Sequence, residues 1–375
     1  MTSMAIVVRR VVPDAAIILA VLGLAVIGWV MIRAATMPPD GGLSSDALRQ
    51  TSYGAIGLAV LVISSRLQLD TVRRLAPVIY ALSMTGLFAV LVLGTEEFGA
   101  RRWIALGPLT VQPSEFAKIA TVVGLAAYAT DREPGIRYTL TSLALLMLPM
   151  VLVLLEPDLG TTLVLGGAWI VVAATWGASW RVLGGLSALT ISVLPIAFAV
   201  AVPDYQRERL AVFFQPDRDP LGSGFTMRQV EIALGAGGLT GRGIDGQPSA
   251  LDGVATRASD FAFAQLGEQM GLIGALMVLT LFALIAWRGL DAAIHAPDRF
   301  GRILAAGLTG IIVLQALMHI AVNTRFFPTT GIPLPFISTG GSAMVAMCLA
   351  AGLILAVASH RGPTSYGPWN TGKFQ

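Results

Sequence analysis

The sequence predicts an all-α, polytopic integral membrane protein with about ten transmembrane helices and one long extracellular loop. Three observations carry this. Of the 375 residues, 55% are hydrophobic and 13% charged, against roughly a quarter charged in soluble domains, and mean hydropathy is +0.74. Runs of about 20 apolar residues, long enough to cross a bilayer as helices, recur along the whole chain. Arginines crowd alternate connections, the asymmetry that orients membrane helices.

Apolar runs between polar or Pro/Gly breaks place spans near residues 13–34, 51–65, 75–94, 113–130, 139–155, 158–178, 182–202, 261–287, 302–323 and 338–359. The chain then reads as a single transmembrane domain over residues 1–375. The first run exceeds a signal-peptide core and lacks a small-residue cleavage site, so it is expected to remain as a span. Ten spans put both termini on one side. Short segments there hold Arg9, Arg10, Arg66, Arg73, Arg74, Arg132, Arg137, Arg181, Arg288, Arg299, Arg302, Arg361 and Lys373, whereas those opposite hold only Arg49, Arg101, Arg102 and Arg325. That bias assigns both termini, with the tail 361–375, to the cytoplasm.

The connection 203–259 is then external, and it is far longer than ordinary loops, which marks it as functional. Its stretch GFTMRQVEIALGAGGLTGRGI reads as a short amphipathic helix at the membrane interface followed by turns. No strand precedes these glycines, so they are not a nucleotide-binding loop. The three histidines, His295, His319 and His360, are too scattered for a metal cluster, and the single cysteine, Cys348, excludes an intrachain disulfide and a CxxC site. No Ser/His/Asp arrangement or nucleic-acid partner is indicated.

Four polar stretches fall at the external ends of spans. In GARRWIALGPLTVQPSEFAK, residues 99–118, Pro113 suits a first helical turn, and Glu115 and Lys118 become neighbours on one face. Ionisable groups inside a span pair or serve a pathway, so they are read as an internal pair or as substrate contacts. Arg101 and Arg102, just outside the bilayer, have forks that suit phosphate. In LLEPDLGTTLV, residues 154–164, Pro157 breaks the helix between Glu156, a candidate site organiser, and Asp158, a candidate cap for the next helix.

In NTRFFPTTGIPLPFISTGGSAM, residues 323–344, the prolines forbid a continuous helix, and Ser338 to Ser342 offers small residues and amides at a helix start. That is either an anion site for a pyrophosphate or a tight re-entrant turn. In TRASDFAFAQLGEQMGLIG, residues 256–274, Asp260 stands at the first turn, where capping is the alternative to chemistry. Glu268 lies about 12 Å deeper at 1.5 Å per residue. It requires a partner, Lys118 or an arginine, and reads as structural support.

The segments QPSEFAK, EPDLGTTLV, SDFAFAQLGEQMGLIG and TTGIPLPFISTGGS, in this order, resemble the SEDS proteins (shape, elongation, division and sporulation), the ten-span peptidoglycan polymerases of bacteria. The resemblance runs from the first span to about residue 359, and the short N-terminus and length look more like the family's elongation branch than its division branch. It implies a glycosyltransferase of the bacterial cytoplasmic membrane that polymerises lipid II on the outer face. A class B penicillin-binding protein would supply transpeptidation. The family's essential acid maps onto Asp260 as the catalytic residue. Departures are Ala258-Ser259 before it, Gln269 after Glu268, and Thr339 within the SxGGS element.

The chemistry fits this placement. A carboxylate at the outer interface can deprotonate an acceptor 4-hydroxyl as it attacks the anomeric carbon of a donor whose leaving group is lipid pyrophosphate. Arg101, Arg102, Lys118, Arg209 and Arg325, with Ser338 and Ser342, are the candidate substrate contacts. Glu115, Glu156, Asp158 and Glu268 are the candidate supports. No motif demands a cofactor or metal, although Mg²⁺ or Mn²⁺ is compatible. The alternatives are a flippase for a lipid-linked precursor, disfavoured because the polar motifs crowd one side and no internal repeat is visible, and a non-catalytic scaffold.

Overall fold

A computed structural model describes residues 2–36, 42–97, 100–107, 109–188, 207, 211–219, 222–244, 249–254 and 256–360. The helices are α1 (Thr2–Thr36), α2 (Ser45–Ser64), α3 (Leu69–Leu93), α4 (Pro113–Thr130), α5 (Ile136–Leu155), α6 (Leu159–Trp176), α7 (Ser223–Ala236), α8 (Ala262–Ile294), α9 (Arg299–Asn323) and α10 (Gly341–Ser359). Eight of the described helices are long and apolar enough to cross a membrane. α4 has the length but carries Glu115 and Lys118, which dilute its apolar character.

The expected seventh span, 182–202, is helical over 182–188, and its remainder lies outside the described residues, as do Arg209 and the tail 361–375. Several helices begin before their hydropathy does. α2 starts at Ser45 rather than 51 because the Ser44 hydroxyl accepts from Ala47 N–H and Asp46 sits in the positive first turn. α3 starts at Leu69 with Asp70 in the same position.

One core runs through the bundle. α9 and α10 lie mostly inside it, α10 against α2 and α9 against α6, α8 and α4. Large apolar side chains remain uncovered on the outer helices, among them Leu82 (67%), Leu93 (72%) and Ile294 (71%), the surface a hydrocarbon solvent would cover.

Between the expected spans 75–94 and 113–130 the chain forms a three-stranded antiparallel sheet of β1 (Thr95–Glu97), β2 (Ala100–Leu106) and β3 (Leu109–Val111). Successive residues of a strand face opposite ways. Arg101 is therefore exposed while Arg102 is buried beneath the sheet.

The long loop holds α7 and then turns. Met227, Val230 and Ala233 of α7 pack with Leu251, Val254, Phe261 and Val322 in a second, smaller cluster. α8 is not one straight span. Gly271 has φ +63, a conformation only glycine adopts without strain, and Leu272 and Ile273 N–H donate to Gly238 and Leu239 of the loop. Leu272–Ile294 alone extends about 34 Å, enough for a bilayer of roughly 30 Å. The depth inferred for Glu268 from an unbroken helix is thereby corrected.

Candidate active site

The four polar stretches meet at one end of the bundle and are stitched together by hydrogen bonds. Gln112 N–H donates to Ser342 Oγ at 2.9 Å, and Ser342 Oγ donates to Thr110 O at 3.2 Å. Ser338 Oγ donates to Ser259 O at 2.7 Å and accepts from Leu334 N–H at 2.8 Å, while Thr339 N–H donates to Ala258 O at 3.0 Å. Both serines expected to meet an anion therefore spend their hydroxyls on backbone, fixing the loop that delivers Asp260. Gly160 is where the second stretch touches the third, since a Cβ there would lie 2.2 Å from Ile332 Cγ1.

Asp260 precedes the start of α8, whose N-cap is Phe261 with no side-chain cap bond. Its carboxylate is half-buried. A Cβ placed on Gly331 would have Asp260 Oδ2 at 3.9 Å and Arg102 Nη1 at 4.0 Å, so an acid and a cation converge on the bend of the proline segment. Arg102 reaches there from under the sheet. Its Nε donates to Glu156 O at 2.9 Å and its Nη2 to Pro157 O, so part of its fork holds the break between α5 and α6. Asp158 caps α6, accepting from Thr161 N–H at 3.0 Å and from the Thr161 hydroxyl at 2.9 Å.

The Asp260 turn is held from behind by a polar ladder that reading residues singly had missed. Gln315, His319 and Asn323 occupy successive turns on one face of α9 and are all buried. Gln315 Nε2 donates to Pro333 O at 3.0 Å. His319 Nδ1 faces Ile332 O at 2.8 Å and Nε2 faces Phe263 N–H at 3.3 Å. A carbonyl only accepts and an amide only donates, so this pattern fits the neutral Nδ1–H tautomer. Asn323 Nδ2 donates to Asp260 O at 3.0 Å and Oδ1 accepts from Ala264 N–H at 2.9 Å. Asn323→Leu removes both of these bonds. It is expected to lower turnover by about 10²-fold, the scale of a 1 Å displacement of a reacting group. Unchanged activity in a purified-enzyme assay would remove Asn323 from this role.

Lys118, expected among the substrate-facing cations, is fully buried. Its Nζ donates to both Glu115 oxygens at 2.9 Å and to Gln315 Oε1, tying α4 to the ladder. Glu268 has neither Lys118 nor bare hydrocarbon around it. It accepts from Ala250 N–H at 2.9 Å and from the Ser249 hydroxyl, and pairs with Arg242 at 3.4 Å, which anchors the long loop to α8. Arg325, another expected substrate cation, is paired with Glu231 of α7.

Glu156 sits in the turn between α5 and α6, and both its carboxylate oxygens are buried without a hydrogen-bond partner. Burial, reinforced by the Asp158 charge and opposed by Arg102, pushes its carboxyl from an ordinary 4.5 up to about 9. A carboxyl raised on folding binds its proton more tightly in the folded chain, so stability falls as pH climbs from near 4.5 towards 9. Glu156→Gln removes that dependence. Its melting temperature is expected to exceed the wild type's by a few degrees at pH 8 and to converge with it at pH 5. A variant less stable at pH 8 would show that the charged form is the one the fold needs.

Comparison with known proteins follows this geometry. The family profile FTSW_RODA_SPOVE, described as cell cycle protein, matches residues 14–362. The peptidoglycan glycosyltransferase MrdB of Escherichia coli K12 is 35% identical over 317 residues, covering 84% of this chain and 85% of its own length. The stage V sporulation protein E of Bacillus subtilis strain 168 is 31% identical over 362 residues, covering 94% and 98%. A solved chain from work on structural coordination of polymerization and crosslinking by a peptidoglycan synthase complex aligns with a TM-score of 0.78 at 29% identity, covering 91% of this chain and 96% of that one. The rod shape determining protein RodA of Thermus thermophilus aligns with a TM-score of 0.68 at 28% identity, covering 92% and 96%.

Proposed function

We propose a mechanism from one premise: the chain belongs to the FtsW/RodA/SpoVE family and is a membrane-embedded peptidoglycan glycosyltransferase of the SEDS type. Asp260 is its general base. It takes the proton of the acceptor lipid II 4-hydroxyl as that oxygen attacks the anomeric carbon of the lipid-linked donor, whose pyrophosphate leaves with the bonding pair. Pyrophosphate is a good leaving group, so one base suffices where glycosidases need an acid as well. Arg102, fixed at the turn and directed at the same point as Asp260, stabilises the departing negative charge, with Arg101 at the mouth. A divalent cation, were one bound beside the Asp260 carboxylate, would share with Arg102 the task of offsetting the charge of the leaving pyrophosphate.

The observation that carries this reading is the convergence of Asp260 Oδ2 and Arg102 Nη1 on Gly331. The side-chain bonds of Ser338 and Ser342 suit them to shaping the cleft rather than gripping phosphate. Lys118 and Glu268 act as supports, and Arg325 ties α7 to the end of α9 through Glu231. The arginine bias supports both termini in the cytoplasm and the site on the outer face of the bacterial membrane. The similarity to MrdB and to RodA supports a role in elongation and shape. The similarity to a chain of a peptidoglycan synthase complex supports a class B penicillin-binding protein as partner.

Purified protein with detergent-solubilised lipid II is expected to form glycan strands, more of them with the partner present. A flippase would form none, because detergent leaves no membrane to cross.

A further inference from the structure

At the membrane end opposite Asp260, α3, α4 and α5 line a half-open cavity of about 690 Å³ that the polymerase reaction does not use. Its mouth is polar and its wall is not. Arg73, Arg74 and Arg132 stand at the mouth with Asp70 and Asp131, and Pro77, Ala127 and Leu145 line the wall beside Tyr80. Three arginines against two aspartates leave one net positive charge. Arg73 is paired with Asp131, and Arg132 lies 4.1 Å over the Tyr128 ring while donating to Tyr128 O at 2.8 Å. Arg74 is exposed. Tyr80 lies along Gly124 and donates its hydroxyl to Leu145 O at 2.6 Å, so its polar tip is spent and its ring remains as wall.

We propose that this cavity binds one anionic phospholipid of the inner leaflet, with its phosphodiester at Arg74 and Arg132 and an acyl chain along Pro77 and Leu145. Three features select that occupant. One net positive charge matches a phosphodiester's single negative charge. The volume falls within the range of small-molecule sites. The wall also continues into lipid-facing surface, because Pro77 is exposed beside Val78 (52%) and Leu82 (67%) on α3, which a soluble anion would not need. Basic pockets between helices on the cytoplasmic side favour anionic headgroups on general electrostatic grounds.

The test is native mass spectrometry of the full chain released from nanodiscs containing equal phosphatidylglycerol and phosphatidylcholine. The wild type is expected to retain one phosphatidylglycerol. Arg74→Gln should hold it about fivefold more weakly, and Arg74→Gln with Arg132→Gln about thirtyfold, as one and two arginine contacts at a membrane surface are lost. Arg288→Gln, at the same membrane end but outside the cavity, should retain it like the wild type. Equal retention of phosphatidylcholine, equal loss in Arg288→Gln, or undiminished binding in the double variant would each overturn the proposal. Glycerophosphoglycerol, which has the headgroup without chains, should not compete. If it displaced the lipid, the site would be one for a soluble phosphodiester.

Discussion

Asp260→Asn is expected to lower glycan-strand synthesis from lipid II by about 10³-fold or more while leaving the melting temperature within a degree or two of the wild type. The size follows from the step removed. An amide of the same shape cannot take the acceptor's proton, and loss of a positioned general base costs about 10²- to 10⁴-fold. Stability should hold because two bonds to the Asp260 backbone survive the substitution: Asp260 N–H donates to Thr256 O at 2.9 Å and Asp260 O accepts from Asn323 Nδ2 at 3.0 Å. Asp260→Glu separates position from chemistry. It keeps a base but moves it by about one carbon–carbon bond, a displacement on the scale that misaligns a reacting group, so activity should be intermediate. Near-normal synthesis by Asp260→Asn would mean another group takes the proton.

How far the site could be read from the sequence depended on how locally each constraint is encoded. The Glu115–Lys118 pair and the Asp158 cap involve neighbours within one helical turn, and helical geometry alone predicts them. Convergence of the four stretches on one side followed from span counting, which needs only hydropathy and charge. An arginine was one of the two partners expected for Glu268, but which arginine did not follow, because Arg242 lies in a loop 26 residues away and the break at Gly271 looks, in composition, like any small residue inside a span. The different fates of Arg101 and Arg102 required recognising a strand in ARRWIAL, where alternation sends neighbours to opposite faces. The ladder of Gln315, His319 and Asn323 was visible in principle as polar residues at helical spacing on an otherwise apolar helix, but each residue taken alone looked incidental.

Lys118→Met is expected to destabilise the chain by roughly 3–5 kcal/mol, the cost of leaving the partner of a buried ion pair uncompensated. Glu115 and Lys118 are both 0% exposed, so the carboxylate that remains would be buried without its counter-charge. Little folded protein should be recoverable from membranes. Combining it with Glu115→Gln removes the charge as well, and replacing both members of a buried pair is often near neutral, so the double variant should recover most of the lost melting temperature. Its activity is a separate matter. Lys118 also donates to Gln315, whose amide in turn holds Pro333 O at 3.0 Å. Without that chain the proline segment that carries Gly331 past Asp260 and Arg102 loses one restraint. The double variant should therefore fold yet polymerise at least about tenfold more slowly, because reacting groups held less tightly misalign. A single Lys118→Met variant with an unchanged melting temperature would sink the account of the pair, and a folded double variant with full activity would confine the pair to packing the bundle.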